Sequence, residues 1–255
     1  MKVLVLAGTA DGRAVARALR GAGHEVVEAV AGVTASARAL AGVRVGGFGG
    51  VAGLAAWLVE HRVDAVVNAT HPFAARMSAN ASNACGKVGV PLARWVRPSW
   101  RGRPDAAGWA WVPDHAAAAR VAAGQGRTLL TVGRQELAAY LALHEVVARV
   151  TEPAPGWVTP MGWQLLVARG PFTVAGEEAL MREHGVRVLV TKDAGGAATM
   201  AKLDAAATLG VRVVVVDRPG APAGVAELGD LDAALAWVGE LNAAPDRGPP
   251  RHRPR

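Results

Sequence analysis

The sequence predicts an α/β protein of two doubly wound parallel-sheet domains, and three observations carry that expectation. Short runs that are apolar throughout recur along the chain, as befits strands buried on both faces. Helix-like stretches separate them, which sets successive strands parallel. Several runs end in a glycine turn that leads into a helix, the local pattern of a βα unit.

Residues 3–6 form the first run, and Gly8-Thr9-Ala10-Asp11-Gly12-Arg13 turns it into a helix starting near Ala14. Residues 25–30, 63–67 and 91–96 supply the next runs. Periodicity then lapses in Arg97-Pro98-Ser99-Trp100-Arg101-Gly102-Arg103-Pro104, where prolines and arginines crowd together. The boundary between two Rossmann-like domains is therefore expected near residue 100, giving domains 1–100 and 101–242. Runs at 127–132, 146–150, 163–168, 186–190 and 211–216 belong to the second. Residues 243–255, rich in proline and arginine, are expected to be a disordered tail. Open α/β sheets bind ligands outside the carboxyl ends of their strands, so the expected site is a cleft between the two domains.

Composition narrows the function classes. With 51% hydrophobic residues and 31 glycines, the 255-residue chain has material for sizeable cores and is no disordered protein. Cys85 is the single cysteine, which excludes an intrachain disulfide and fits a reducing, cytoplasmic compartment. The N-terminal apolar run meets Asp11 too early for a signal peptide, and no run reaches membrane-span length, so no membrane association is expected. The formal charge of +7 includes Arg247, Arg251, Arg253 and Arg255 of the tail, without which 24 basic residues face 21 acidic ones. A mildly basic body with no aromatic platform or groove-reading motif points away from nucleic acid.

The most informative stretch is Val-Thr-Lys-Asp-Ala-Gly-Gly from Val190. Thr191 and Lys192 close a β-branched run, Gly195 and Gly196 break it, and a helical stretch holds Thr199 and Lys202. Backbone N–H groups at a helix N-terminus, with Lys192 just before it and Lys202 two turns in, suit a ligand carrying phosphates or carboxylates. The Gly8 turn is a second candidate, where Thr9 caps the helix or bonds a phosphate. Its spacing is not G-x-G-x-x-G, and a plain tight turn explains it about as well. In Asn68-Ala69-Thr70-His71-Pro72-Phe73-Ala74, Pro72 falls at the expected first helical position, which puts Thr70 and His71 at a strand's carboxyl end beside that turn. A structural cap is the plainer alternative for His71.

Arg94-Trp95-Val96-Arg97-Pro98-Ser99-Trp100-Arg101 interleaves guanidinium forks and indoles that suit carboxylates and a flat conjugated ring. A linker of snorkelling arginines is the first reading of that stretch alone. Arg134 and Arg169 follow strand ends in a similar way. There is no G-x-x-x-x-G-K-[ST] loop, G-x-S-x-G elbow or H-E-x-x-H pair, and Cys85 reads as packed on a helix face. Nucleophilic catalysis is not expected, and no metal ligand is assigned.

In this order, V-L-V-L-A-G-T-A-D-G-R, V-G-G-F-G-G-V-A-G-L, N-A-T-H-P-F-A, R-P-S-W, A-R-G-P-F and T-K-D-A-G-G-A-A-T-M-A-K resemble the precorrin-6A reductase family of cobalamin biosynthesis over nearly the whole chain. The resemblance implies an NADPH-dependent reduction of one double bond in precorrin-6A, giving precorrin-6B. The partner is then a small-molecule polycarboxylate tetrapyrrole, with room for other cobalamin-pathway enzymes. On the matching positions Gly8, Thr9, Asp11, Arg13, Thr70 and Pro72 are assigned to the cofactor, and Arg97, Lys192, Gly195, Gly196, Thr199 and Lys202 to the substrate. The chain departs from the family's usual pattern at Asn68 for aspartate, Ala194 for serine and Val33 for arginine. The last removes a group suited to the 2′-phosphate of NADPH, leaving that role to Arg13 or Arg38.

Hydride transfer needs no protein nucleophile, only positioning, worth up to about 7–11 kcal/mol. The reduction also consumes a proton, for which His71 is the first candidate acid and Asp193 the second. Lys192 and Lys202 are expected to hold anions, since neither context suggests apolar burial. Three rivals stand: the same reduction on the cobalt-containing macrocycle of the anaerobic route with NADH, a non-catalytic dinucleotide-binding protein, and nucleic-acid binding through the arginine tail.

Overall fold

The structure, a computed structural model, describes residues 1–30 and 43–243. Val33, Arg38 and the tail from residue 244 lie outside the described residues. The chain divides into two compact units, one of Met1–Val96 together with the chain from Pro219 onward, the other of Arg97–Arg218.

The first unit begins with β1 (Lys2–Leu6), α1 (Ala10–Gly21) and β2 (Glu25–Val30). It continues with β3 (Val43–Val45), α2 (Gly50–Glu60), β4 (Ala65–Asn68), α3 (Ala75–Val88) and β5 (Leu92–Trp95). The second unit holds β6 (Ala110–Val112), α4 (His115–Ala122), β7 (Thr128–Leu130), β8 (Val146–Val150) and β9 (Trp163–Val167). After these come α5 (Val174–Glu183), β10 (Val188–Lys192), α6 (Ala201–Leu209) and β11 (Arg212–Val216). The chain then re-enters the first unit as β12 (Ala226–Leu228) and α7 (Leu231–Ala243).

Each unit has a six-stranded sheet, ordered β3-β2-β1-β4-β5-β12 and β9-β8-β7-β10-β11-β6. Every neighbouring pair is parallel. Strands that are buried on both faces explain the unbroken apolar runs: Val3, Leu4 and Val5, like Val188, Leu189 and Val190, are fully buried. In α1 the buried face is Val15, Ala16 and Leu19, at helical spacing, and it packs against Val3, Val5 and Val26.

One expectation is corrected here. The second domain was to run to residue 242, but the two orders match position for position except at the sixth strand. In the second sheet that place is taken by β6, the strand that comes first in the unit, so the last strand is left over. It pairs instead with β5, which would otherwise expose an unpaired edge, while Leu228, Ala234 and Val238 join the core of Val3, Val5 and Leu19. The first crossing lies between Val96 and Arg97, a few residues before the expected boundary. No described helix is long and apolar enough to cross a membrane.

Candidate functional site

In the first unit the strand order reverses between β1 and β4, and the loops leaving those two strands, with the first turn of α1, hold all the residues assigned to the cofactor. Gly8 has φ +124°, a conformation that favours glycine, and open space lies where a side chain would be. Thr9 caps α1: its Oγ1 accepts from the Gly12 N–H at 3.1 Å and donates to the Ala69 carbonyl at 3.1 Å, which ties the β1 loop to the β4 loop. The Thr9 hydroxyl is thus engaged by the protein itself. Asp11, in the first turn, accepts from Trp95 Nε1 at 3.1 Å, and Arg13 is exposed.

The β4 loop is organised by Asn68, which is buried. Its Oδ1 accepts from the Thr70 hydroxyl at 2.8 Å and the Thr70 N–H at 3.3 Å, and its Nδ2 donates to Ser78 Oγ at 3.0 Å. The amide supplies a donor as well as an acceptor, which the family's usual aspartate does only when protonated. Pro72 sits in a turn closed by Ala74 N–H to the His71 carbonyl at 2.8 Å, and α3 starts only at Ala75. Pro72 is therefore a turn residue and not the first residue of the helix. His71 Nδ1 accepts from the Phe73 N–H at 3.2 Å, which leaves the neutral imidazole with its proton on Nε2.

In the second unit the order reverses between β7 and β10, and the glycine turn follows β10. Gly195 and Gly196 take φ of +65° and +70°, a 3-10 turn (Ala197–Thr199) follows, and α6 starts at Ala201, so Lys202 lies in its first turn and not two turns in. The turn is also not open to an anion in the expected way. Gly196 N–H donates to the Pro98 carbonyl at 3.3 Å, Trp100 Nε1 donates to the Gly196 carbonyl at 3.1 Å, and a Cβ on Gly195 would lie 2.5 Å from Pro98 O. These glycines admit the close approach of the Arg97-Pro98 segment, with Arg97 Nη1 donating to the Ala194 carbonyl at 3.4 Å. Trp100, expected as a surface indole, is buried in the core of this unit.

Asp193 is buried, and its place corrects the expectation of a proton donor. Its carboxylate accepts from Ser99 Oγ at 2.6 Å and from the Trp100 N–H at 3.1 Å, and pairs with the Arg218 guanidinium at 2.9 Å. Arg218 also donates to the carbonyls of Arg97 at 2.7 Å and Pro98 at 3.3 Å. The segment that enters this unit and the residue that ends it are thus tied together through one carboxylate, whose acceptors are occupied by structural donors.

Beside this turn, Thr131, Arg149, Phe172, Glu177, Thr199 and Lys202 line a cavity of about 200 Å³. Arg149 and Glu177 form a buried ion pair at 2.8 Å, and the guanidinium lies 3.9 Å from the centre of the Phe172 ring. Glu177 Oε2 has no hydrogen-bond partner among the described residues. Lys202 Nζ donates to the Thr199 carbonyl at 2.6 Å and sits 5.1 Å from the Trp100 ring centre. Burial, reinforced by the Arg149 charge and opposed by Glu177, pushes the Lys202 ammonium down to about 8. Lys192 is lowered too, by burial against the opposing pull of Glu136. Both lysines are thus more buried than their sequence context suggested.

Arg149, Glu177 and His115 escaped the sequence reading. Arg149 carried a usable signal, a lone charge inside the apolar run V-V-A-R-V, since a strand covered on both faces must pair any charge it buries. His115, at the start of α4, bonds the buried Tyr140 hydroxyl through Nδ1 at 2.8 Å, and burial is the main cause that lowers its pKa. Cys85 is buried and its thiol is pushed up to about 12, as suits a packed side chain.

The sequence model described as Precorrin-6x reductase CbiJ/CobK matches residues 2–239. The chain belongs to the precorrin-6x reductase family. Precorrin-6A reductase of Rhodococcus erythropolis is 45% identical over 94% of this chain and 98% of its own length. Cobalt-precorrin-6A reductase of Priestia megaterium is 32% identical over 85% of this chain and 90% of its own. A solved structure of CobK precorrin-6A reductase superposes with a TM-score of 0.84 at 38% identity, covering 96% of this chain and 99% of that one. Family membership extends across both reversal points, so both loop clusters belong to the one shared architecture.

Proposed function

We propose that the protein is a precorrin-6A reductase, transferring hydride from NADPH to one double bond of precorrin-6A to give precorrin-6B in cobalamin biosynthesis. The observation that carries this reading is the end-to-end relation to precorrin-6A reductase at 45% identity, against 32% for the cobalt-substrate relative. The residues fit a dinucleotide at the reversal point of the first sheet. Gly8 lets a ligand approach the backbone, the N-terminal turn of α1 supplies N–H donors and a positive dipole end, and Arg13 adds an exposed cation there. NADPH would supply the hydride when bound.

Around it the chain's own groups bind and orient. Thr9, Asn68 and Thr70 fix the two loops to one another, and His71 closes its own turn by accepting from the Phe73 N–H. In the second unit Arg97 and Lys192 give the positive charge that a polycarboxylate tetrapyrrole needs, and Thr199 adds an exposed hydroxyl. Such an arrangement needs neither a nucleophile nor a metal ligand set for hydride transfer.

The test is a spectrophotometric assay of NADPH oxidation with precorrin-6A, repeated with NADH and with the cobalt-loaded macrocycle. Turnover of the metal-free substrate with NADPH is the expected result. Turnover of the cobalt form alone would move the protein to the anaerobic route, and NADPH binding without oxidation would make it a binding protein.

A further inference from the structure

The reduction assigned above consumes a proton as well as a hydride, and Asp193, with its carboxylate occupied by Ser99, Trp100 and Arg218, is badly placed to give it. Lys202 is placed differently. An ammonium has three N–H donors, and the Thr199 carbonyl takes one of them on the wall of the cavity beside Phe172. The charged groups that face it are Arg149 from β8 and Glu177 from α5, locked to each other at 2.8 Å, while Trp100 covers it from another side.

The wall is unlike a subsite built only to hold a carboxylate. Glu177 is 2% exposed, yet its Oε2 has no partner among the described residues and lies on the same cavity. A buried carboxylate oxygen without a partner on this wall welcomes a hydrogen-bond donor. The cavity of about 200 Å³ has room for an edge of a tetrapyrrole and not for the whole ring.

We propose that Lys202 is the proton donor of the reduction, positioned by the Arg149–Glu177 pair. The inference rests on the precorrin-6A reductase reading. One π bond of the conjugated system is lost: a Lys202 N–H bond breaks and its proton goes to one end of that system, while the hydride that NADPH would supply goes to the other. The lowered proton affinity eases that donation, and because a value of about 8 still lies above neutral pH the amine regains its proton from solvent there.

The experiment uses the full-length enzyme with precorrin-6A and NADPH, and measures substrate binding at equilibrium, kcat and KM across pH, and folding by circular dichroism. Wild type comes first: if it does not oxidise NADPH with precorrin-6A, the reductase reading fails and the inference with it. If it does, Lys202→Arg discriminates, because arginine keeps the charge but does not release a proton in this range. Binding within about threefold of wild type with kcat down on the order of 100-fold is the expected result. Wild-type kcat should fall as pH rises through about 8, and this limb should be missing in the variant. Unchanged kcat with raised KM would make Lys202 an anion holder and overturn the proposal. Glu177→Gln serves as a second variant in case Lys202→Arg does not fold. Removing the negative charge leaves Arg149 unopposed, so the alkaline limb should move to lower pH; a limb that stays put overturns the assignment.

Discussion

Replacing Lys202 by methionine should make the protein more stable at neutral pH. Lowering a lysine from 10.5 to about 8 means that its charged form is disfavoured in the folded protein by about 3 kcal/mol relative to water. Methionine carries no such penalty and fills similar space, but it leaves the Thr199 carbonyl without the donor that Lys202 supplies, a loss of about 1 kcal/mol. The net expectation at pH 7 is a gain of about 2 kcal/mol. Its sign follows from proton binding. Below about pH 8 the lysine is charged both folded and unfolded, and the penalty is fully present. Between about 8 and 10.5 the unfolded chain binds more protons than the folded one, so wild-type stability rises with pH and the penalty fades. Urea unfolding followed by circular dichroism at pH 7 and pH 10 checks this, the advantage of the variant shrinking to near zero at the higher pH. A variant that is less stable at pH 7, or whose advantage is the same at both, would refute the claim that burying the Lys202 charge costs more than its hydrogen bond returns.

Three further outcomes follow from the same geometry. Asp193→Ala leaves Arg218 without its buried partner and releases Ser99 and the Trp100 N–H, so urea unfolding should show a loss of about 3 kcal/mol or more, while Asp193→Asn should retain the alkaline limb of the pH–rate profile. Gly195→Ala places a methyl at positive φ and 2.5 Å from Pro98 O; thermal unfolding should report a loss of roughly 1–3 kcal/mol together with a raised KM for the tetrapyrrole. Thr9→Ala removes the cap of α1 and the link to Ala69, which should lower stability by about 1 kcal/mol and raise the KM for NADPH more than that for precorrin-6A.

What could be read from residues alone depended on how local the cause was. Residues 146–150 and 211–216 are strands because unbroken β-branched runs suit a sheet covered on both faces, and they lie where the apolar runs placed them. The strands β3 and β12 are three residues each and carry Arg44 and Glu227 in their middles, so no apolar run announced them, and the apolar Ala-Trp-Val of β6 is too short to stand out. The candidate site divides in the same way. The Gly8 turn and the β4 loop were legible because glycine, a capping threonine and a strand end sit next to each other in sequence. The Arg149–Glu177 pair spans two elements, and Lys202 meets both only after folding.

The amino-acid order by itself determined the alternation of strand and helix, the parallel pairing, the two glycine turns and the family, since each rests on periodicity or on short motifs with fixed spacing. Tertiary structure alone decided where the last strand pairs, because an open sheet edge and a shared core, not local propensity, select its partner. It also decided which charges are buried. Lys192 and Lys202 read alike in sequence, but the side chains that surround an ammonium come from distant segments, and its proton affinity is set by them.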